Sequence, residues 1–288
     1  MAYYIGIDGG GTKTECVIGS ESEVLAHATA GSASLLRAGP DVVRRSLSES
    51  IAEACAVARI VPTEIAAACL GSTGAARPDI ARTLQEMLSE ILPAARIHVC
   101  GDMEIALAAT FGEGPGVVVI AGTGSIAFGR NEQHRTARAG GLGPDRSDEG
   151  SGHWIGKRAM SLFKNLDPAA APATLFPVVL AKADSGNSQA QEILAEAGVL
   201  LAGLAVTVST EVFGRVPPRE SNIAVAMAGG IFKHAAQVRD AFAEELKERY
   251  PQAAVRSGVV EPAEGALWMA RRLGASEPGA CLGDTKNF

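Results

Sequence analysis

A chain of 288 residues has room for two medium domains, or one large α/β unit, and can bury a core without disulfide or metal staples. Its 33 glycines, with 47% hydrophobic and 20% charged residues, point away from a helical bundle and toward tight turns and close backbone contacts. A formal charge of −6, a pI near 5.5 and the lack of any Lys/Arg cluster exclude a nucleic-acid polymer as partner.

From Tyr3 to Thr29 the pattern reads strand, glycine turn, strand, turn, strand, an antiparallel meander. Helical spacing follows from Asp41 to Arg59, then a short apolar run from Ala66 to Leu70, then a second helix from Asp79 to Leu92. Ile97 to Gly101 reads as a strand, and Asp102 stands where it gives way to a helix, a position suited to capping. Gly112-Glu113-Gly114-Pro115-Gly116 breaks the chain, and VVVIAGTGSIAF then repeats the opening pattern, marking a domain boundary near residue 115. Helices are predicted over Gly152–Lys164, Ser188–Phe213, Ala235–Tyr250 and Ala263–Leu273, with the strand IAVAMAGG between the second and third. The last dozen residues are polar and expected to fray.

Cys16, Cys55, Cys69, Cys100 and Cys281 are odd in number and show no metal-ligand spacing, which fits reduced thiols in a cytoplasmic protein. A strand that begins within three residues leaves no room for a signal peptide. The apolar stretch from Gly198 to Thr210 is shorter than the roughly 20 residues of a membrane span, so it reads as a buried helix and no membrane partner is expected.

Three glycine motifs carry chemistry. Asp8-Gly9-Gly10-Gly11-Thr12-Lys13-Thr14 sets a carboxylate at a strand end before a hairpin whose glycines permit positive φ and close approach of N–H groups to phosphate; the plain alternative is a glycine-rich hairpin with no ligand. Gly122-Thr123-Gly124-Ser125 lies between two apolar strands in the second half. Ala228-Gly229-Gly230-Ile231 ends a strand, where glycine would let a nucleoside lie against backbone.

In their order these motifs resemble the actin, hexokinase and heat-shock ATPase superfamily. Within it the chain is similar to the N-acetylglucosamine kinase branch of the BadF/BadG/BcrA/BcrD-type ATPases. The matching residues are GIDGGGTKT, GD at 101–102, IAGTGS at 120–125, DEGSGHWIG at 148–156, AGGIF at 228–232 and PAEGALWMA at 262–270. The resemblance implies an α/β fold of two similar ribonuclease H-like (actin-like ATPase) domains. Each would be a five-stranded sheet flanked by helices, with ATP and acceptor in the interdomain cleft. The domains would span 1–115, joined by a C-terminal helix over 263–288, and 116–262.

Carried over, the resemblance implies that Asp8 holds Mg²⁺ and that Gly10, Gly11, Thr12 and Lys13 face the β- and γ-phosphates of ATP. Thr123 and Gly124 would form a second phosphate loop, with Gly229 and Gly230 at the adenosine. Asp102 matches the catalytic carboxylate, which would orient a sugar hydroxyl and accept its proton; a structural helix cap is the alternative. Asp148 matches the acidic motif that holds acceptor hydroxyls, with a charge at a helix N-terminus as the alternative. Ser34, Ser125, Gly141, Leu142 and Gly143 would complete the acceptor site, and a homodimer is implied.

Two departures from the pattern bear on the substrate. Ser34 lies in Gly31-Ser32-Ala33-Ser34, where the sugar kinases carry Asn, and Leu142 replaces an indole, followed by Pro144-Asp145-Arg146-Ser147. N-acetylglucosamine or glucosamine is therefore the default small-molecule acceptor. His153, Trp154 and His98 read as packed side chains, and Lys157 and Arg158 as a solvated helix face. Two other functions stay open: an activator ATPase of 2-hydroxyacyl-CoA dehydratase or benzoyl-CoA reductase systems, which needs thiolates for a bridging iron–sulfur cluster, and a non-catalytic sugar sensor.

Overall fold

A computed structural model describes residues 2–143, 146–215 and 222–276. Pro144, Asp145 and Cys281 of the sequence reading lie outside them, as do residues 277–288. The chain divides into two compact units, Met1–Gly112 with Pro262–Phe288, and Glu113–Glu261.

The first unit opens with β1 (Tyr3–Gly9), β2 (Thr14–Gly19) and β3 (Val24–Ala30), followed by α1 (Pro40–Ala58), β4 (Ile65–Ser72), α2 (Pro78–Ile91), β5 (Arg96–Gly101) and α3 (Asp102–Phe111). The sheet order is β3-β2-β1-β4-β5, with β1 antiparallel to β2 and parallel to β4. Both faces of this sheet are covered, because alternate side chains of a strand point to opposite sides. Ile5, Ile7, Cys16, Ile18, Ala68 and Leu70 join Leu47, Ile51 and Leu84 of α1 and α2 on one face. Tyr4, Val17, Ala67 and Cys69 join Ile105 and Leu267 on the other.

The second unit repeats the plan: β6 (Gly116–Ala121), β7 (Ser125–Arg130), β8 (Thr136–Gly140), α4 (Gly152–Leu162), α5 (Phe176–Asp184), α6 (Ser188–Phe213), β9 (Ile223–Ala228), α7 (Gly230–His234), α8 (Ala236–Arg249) and β10 (Ala253–Val260). Its order, β10-β9-β6-β7-β8, is the first sheet's order again when read from its own first strand. The repeat seen in the two glycine hairpins is thus a repeat of whole sheets. β8, β10 and α5 escape the sequence pattern. β8 is a short edge strand with Arg138 at its middle, and β10 shifts register between Val255 and Val259 around Gly258 at φ +85°. That bulge breaks the period of two on which strand prediction depends.

α6 is long and apolar enough to cross a membrane by length and composition. It packs Ile193, Leu194, Leu201, Ala205 and Val208 into the core of the second unit, and its bounds are those of the helix expected over Ser188–Phe213.

α9 (Pro262–Ala275) closes the first unit, and two glycines set how closely it packs. A Cβ on Gly6 would stand 2.1 Å from Leu267 N, and one on Gly265 would stand 1.9 Å from Ile105 O. The helix backbone therefore rests directly on β1 and on α3. Arg271 donates to Ser20 O at 2.7 Å and Glu23 O at 2.8 Å, and Arg96 to Ser276 O at 2.7 Å, fixing its far end.

Candidate active site

β1, β4 and β5 run parallel and end together, Gly9 opposite Ser72 and Ser72 opposite Gly101. Their carboxyl ends present Asp8, Thr73 and Asp102 along one edge, the side on which open α/β sheets bind ligands. The hairpin after Asp8 is closed by Gly10 N donating to Lys13 O at 3.0 Å. It is held from behind by Ser32 Oγ, 3.2 Å from Gly10 O, and by Ser72 Oγ, shared between Gly9 O at 3.2 Å and Ala33 O at 3.1 Å. Gly10 and Gly11 do not adopt positive φ, which corrects the expectation that they serve that conformation. Their benefit is space: a Cβ on Gly10 would sit 2.9 Å from Lys13 O. Thr12 and Lys13 are exposed, and Lys13 pairs with Glu15 on the next strand.

Asp102 is the first residue of α3, but it is not the cap. Gly101 occupies that position, and Glu104 accepts the Gly101 N–H at 2.9 Å. The Asp102 carboxylate accepts from Thr73 Oγ1 at 2.8 Å through Oδ2 and from Met103 N at 2.9 Å through Oδ1. Burial pushes its carboxyl above the ordinary aspartate value; the Thr73 hydroxyl and the amides of Met103 and Asp102 pull it down and are outweighed. A carboxylate held this way is a better proton acceptor than a solvated one. Ser34 is fully buried and its Oγ has no hydrogen-bond partner among the described residues.

In the second unit, Gly122 N donates to Gly124 O at 2.9 Å, and the start of α4 ties down the same loop: Gly152 N to Gly122 O at 2.8 Å and His153 N to Thr123 O at 3.1 Å. Asp148 is 8% exposed and accepts from Ser125 N at 3.3 Å, while Ser125 Oγ donates to Glu149 O at 2.8 Å. Ser125 thus anchors the acidic segment. A Cβ on Gly124 would lie 2.8 Å from Asp148 Oδ1, so glycine is required there because the carboxylate fills the space. The α4 cap is Ser151, whose Oγ accepts from Trp154 N at 3.2 Å; the Asp148 side chain turns to the loop instead.

Gly229 has φ +94°, and a Cβ there would meet Ala121 O at 2.4 Å, so both conformation and space demand glycine. Gly230 then starts α7 with open space around it. Gly141 N donates to Ser125 O at 2.8 Å and Leu142 N to Ser147 Oγ at 2.9 Å, with Gly141 and Gly143 at φ +72° and +92° and Leu142 56% exposed.

Beside Asp148 lies a cavity of about 190 Å³ lined by Arg146, Ser147, Asp148, Glu149, His153, Trp154 and Lys157. Trp154 and Lys157, read from sequence as packing and as a solvated face, open onto it. The available signal was spacing: residues 153, 154 and 157 share one face of a helix that starts just after Asp148.

Among the described residues no three His, Cys, Asp or Glu side chains gather as a metal cluster. Mg²⁺ needs no such cluster, because it keeps its waters and takes most remaining ligands from phosphate, so one protein carboxylate can suffice.

A sequence model of the BadF/BadG/BcrA/BcrD ATPase family matches residues 5–270. The chain is 30% identical to the N-acetylmuramic acid/N-acetylglucosamine kinase of Clostridium acetobutylicum, covering 94% of this chain and 99% of that one. It is 25% identical to the N-acetyl-D-glucosamine kinase of Dictyostelium discoideum over 93% and 97% of the two chains. The solved structure of a candidate N-acetylglucosamine kinase from Chromobacterium violaceum superposes with a TM-score of 0.73 at 25% identity, covering 94% and 99%. With the family pattern present from β1 to α9, the chain belongs to the BadF/BadG/BcrA/BcrD ATPase family.

Proposed function

We propose that this chain is an ATP-dependent sugar kinase that transfers the γ-phosphoryl group to a hydroxyl of N-acetylglucosamine. The observation that carries this reading is similarity over nearly the whole chain to curated N-acetylglucosamine kinases. Asp102 is the base: it accepts the hydroxyl proton as the new O–P bond forms and the bond to ADP breaks. Its raised pKa suits that role, and Thr73 and Met103, each bonded to one carboxylate oxygen, fix its orientation. Asp148 accepts hydrogen bonds from sugar hydroxyls, with Ser125, Gly141, Leu142 and Gly143 shaping the segment around it. Ser34 supports the acceptor side from the loop after β3.

Gly10, Gly11, Thr12 and Lys13, and likewise Thr123 and Gly124, offer donors to the phosphates, while Gly229 and Gly230 leave room for the nucleoside. Asp8 would hold Mg²⁺, directly or through water; bound there, the ion neutralises phosphate charge. A homodimer in the cytoplasm accompanies this reading and is checked by light scattering.

The activator alternative is disfavoured. It needs accessible thiolates, and the cysteines among the described residues, Cys16, Cys55, Cys69 and Cys100, are all buried, at most 5% exposed. Burial also pushes the Cys16 thiol far above its ordinary value, which opposes a ligating thiolate. The test of the kinase is a coupled ADP-release assay across hexoses and hexosamines. N-acetylglucosamine should stimulate ADP release; a sugar that binds calorimetrically while no acceptor raises release above ATP alone would favour a sensor.

A further inference from the structure

We propose that Arg37 is a phosphate-binding residue, and that its guanidinium, not the Lys13 ammonium, brings net positive charge to the triphosphate at the hairpin after Asp8. The inference rests on the reading of that hairpin as a nucleotide loop. It is carried by the placement of one side chain. A Cβ on Gly11 would stand 2.7 Å from Arg37 Cδ, 2.9 Å from its Nε and 3.7 Å from its Cζ. The end of the arginine therefore lies over the turn, in the space that a side chain on Gly11 would fill.

The chain fixes where that side chain starts. Arg37 N donates to Ser34 O at 3.1 Å and Ala38 N to the same oxygen at 2.9 Å, closing a tight turn just past the buried Ser34. Ser72 Oγ, 3.1 Å from Ala33 O and 3.2 Å from Gly9 O, ties the entry of this turn to the hairpin. Leu36 is braced by the loop after β4, where Gly74 has φ +89° and a Cβ would meet Leu36 Cδ1 at 2.5 Å. Arg37 thus extends from a turn held by its neighbours on the carboxyl edge of the first sheet.

Charge decides what the guanidinium is for. The hairpin has a cation of its own, but Lys13 pairs with Glu15, and such a pair offers a distant anion no net charge. Arg77, three residues beyond Gly74, is likewise committed to Asp79 at 2.9 Å. Arg37 is exposed, and among the described residues its guanidinium makes no ion pair or hydrogen bond. A guanidinium only donates, through five N–H groups in a planar fork, and phosphate oxygens only accept, so the two match in charge and in shape. A sugar hydroxyl is satisfied by neutral groups and needs no such charge.

The test is nucleotide binding, which requires no turnover. Calorimetric affinities for ATP with magnesium, and for adenosine, which lacks the phosphates, are compared in the wild type, R37Q, R37K and K13Q/E15Q, with thermal melts confirming each fold. R37Q should weaken ATP binding about tenfold, the worth of one charge-assisted hydrogen bond, and leave adenosine unchanged. R37K keeps the charge without the fork and should recover part of the loss, and K13Q/E15Q, which removes a neutral pair, should cost less than about threefold. ATP affinity in R37Q that stays close to the wild-type value overturns the proposal. So does an equal loss of ATP and adenosine, which would mark a structural role, or a loss in K13Q/E15Q as large as in R37Q. Sugar-stimulated ADP release is scored separately. If the wild type binds ATP and no sugar stimulates release, the kinase reading fails while the affinities still decide Arg37; a wild type that binds no ATP overturns both.

Discussion

Thr73 Oγ1 donates to Asp102 Oδ2 at 2.8 Å, joining the end of β4 to the first residue of α3. Burial raises the Asp102 pKa and this bond opposes the rise. The base form of Asp102 is therefore lost as pH falls through that raised value. In Thr73→Val the opposition disappears, so the acidic limb of the kcat/KM profile should move to higher pH, while Thr73→Ser should restore it. A profile that stays in place in Thr73→Val would mean that Thr73 does not tune the base.

The same burial has a consequence for stability. A carboxyl whose folded pKa lies above its unfolded one favours the folded state at low pH, and that contribution is lost as pH rises through the folded value. At neutral pH an ionised Asp102 therefore opposes folding. Asp102→Asn should raise Tm at pH 7 and change it less at low pH, as followed by calorimetry.

Gly124→Ala places a methyl group 2.8 Å from Asp148 Oδ1. The carboxylate has to move, and displacements near 1 Å in positioning groups reduce kcat/KM by about 100-fold. The loss should appear in sugar kinetics more than in the KM for ATP, as initial rates with each substrate varied will show.

Gly265→Ala tests the seat of α9. Its Cβ would overlap Ile105 O on the helix that Asp102 begins, and overpacking of this kind destabilises by about 1–3 kcal/mol. Thermal unfolding should shift down by roughly 3–8 °C or more.

The candidate-site residues are legible in position where glycine marks a strand end. GIDGGGTKT and IAGTGS announce two equivalent hairpins, and Asp102 follows an apolar strand with a helix immediately after it. The Thr73 bond was not legible, because register across β4 and β5, not sequence separation, brings 73 beside 102. Ser125 reads in the sequence as a sugar contact; not legible there is that its N–H and hydroxyl hold Asp148 and Glu149. The cavity residues follow the sequence reading in part: Trp154 packs against the core and Lys157 is exposed, and what the sequence does not show is that both also line the cavity beside Asp148. Edge strands β8 and β10 were missed because exposure and a bulge erase alternation.

The most direct measurement is ADP release with N-acetylglucosamine by the wild type and by Asp102→Asn, each confirmed folded. The account predicts sugar-stimulated release in the wild type and a drop of about 10²- to 10⁴-fold in the variant, the usual worth of a general base. Release that N-acetylglucosamine stimulates equally in both proteins would contradict it.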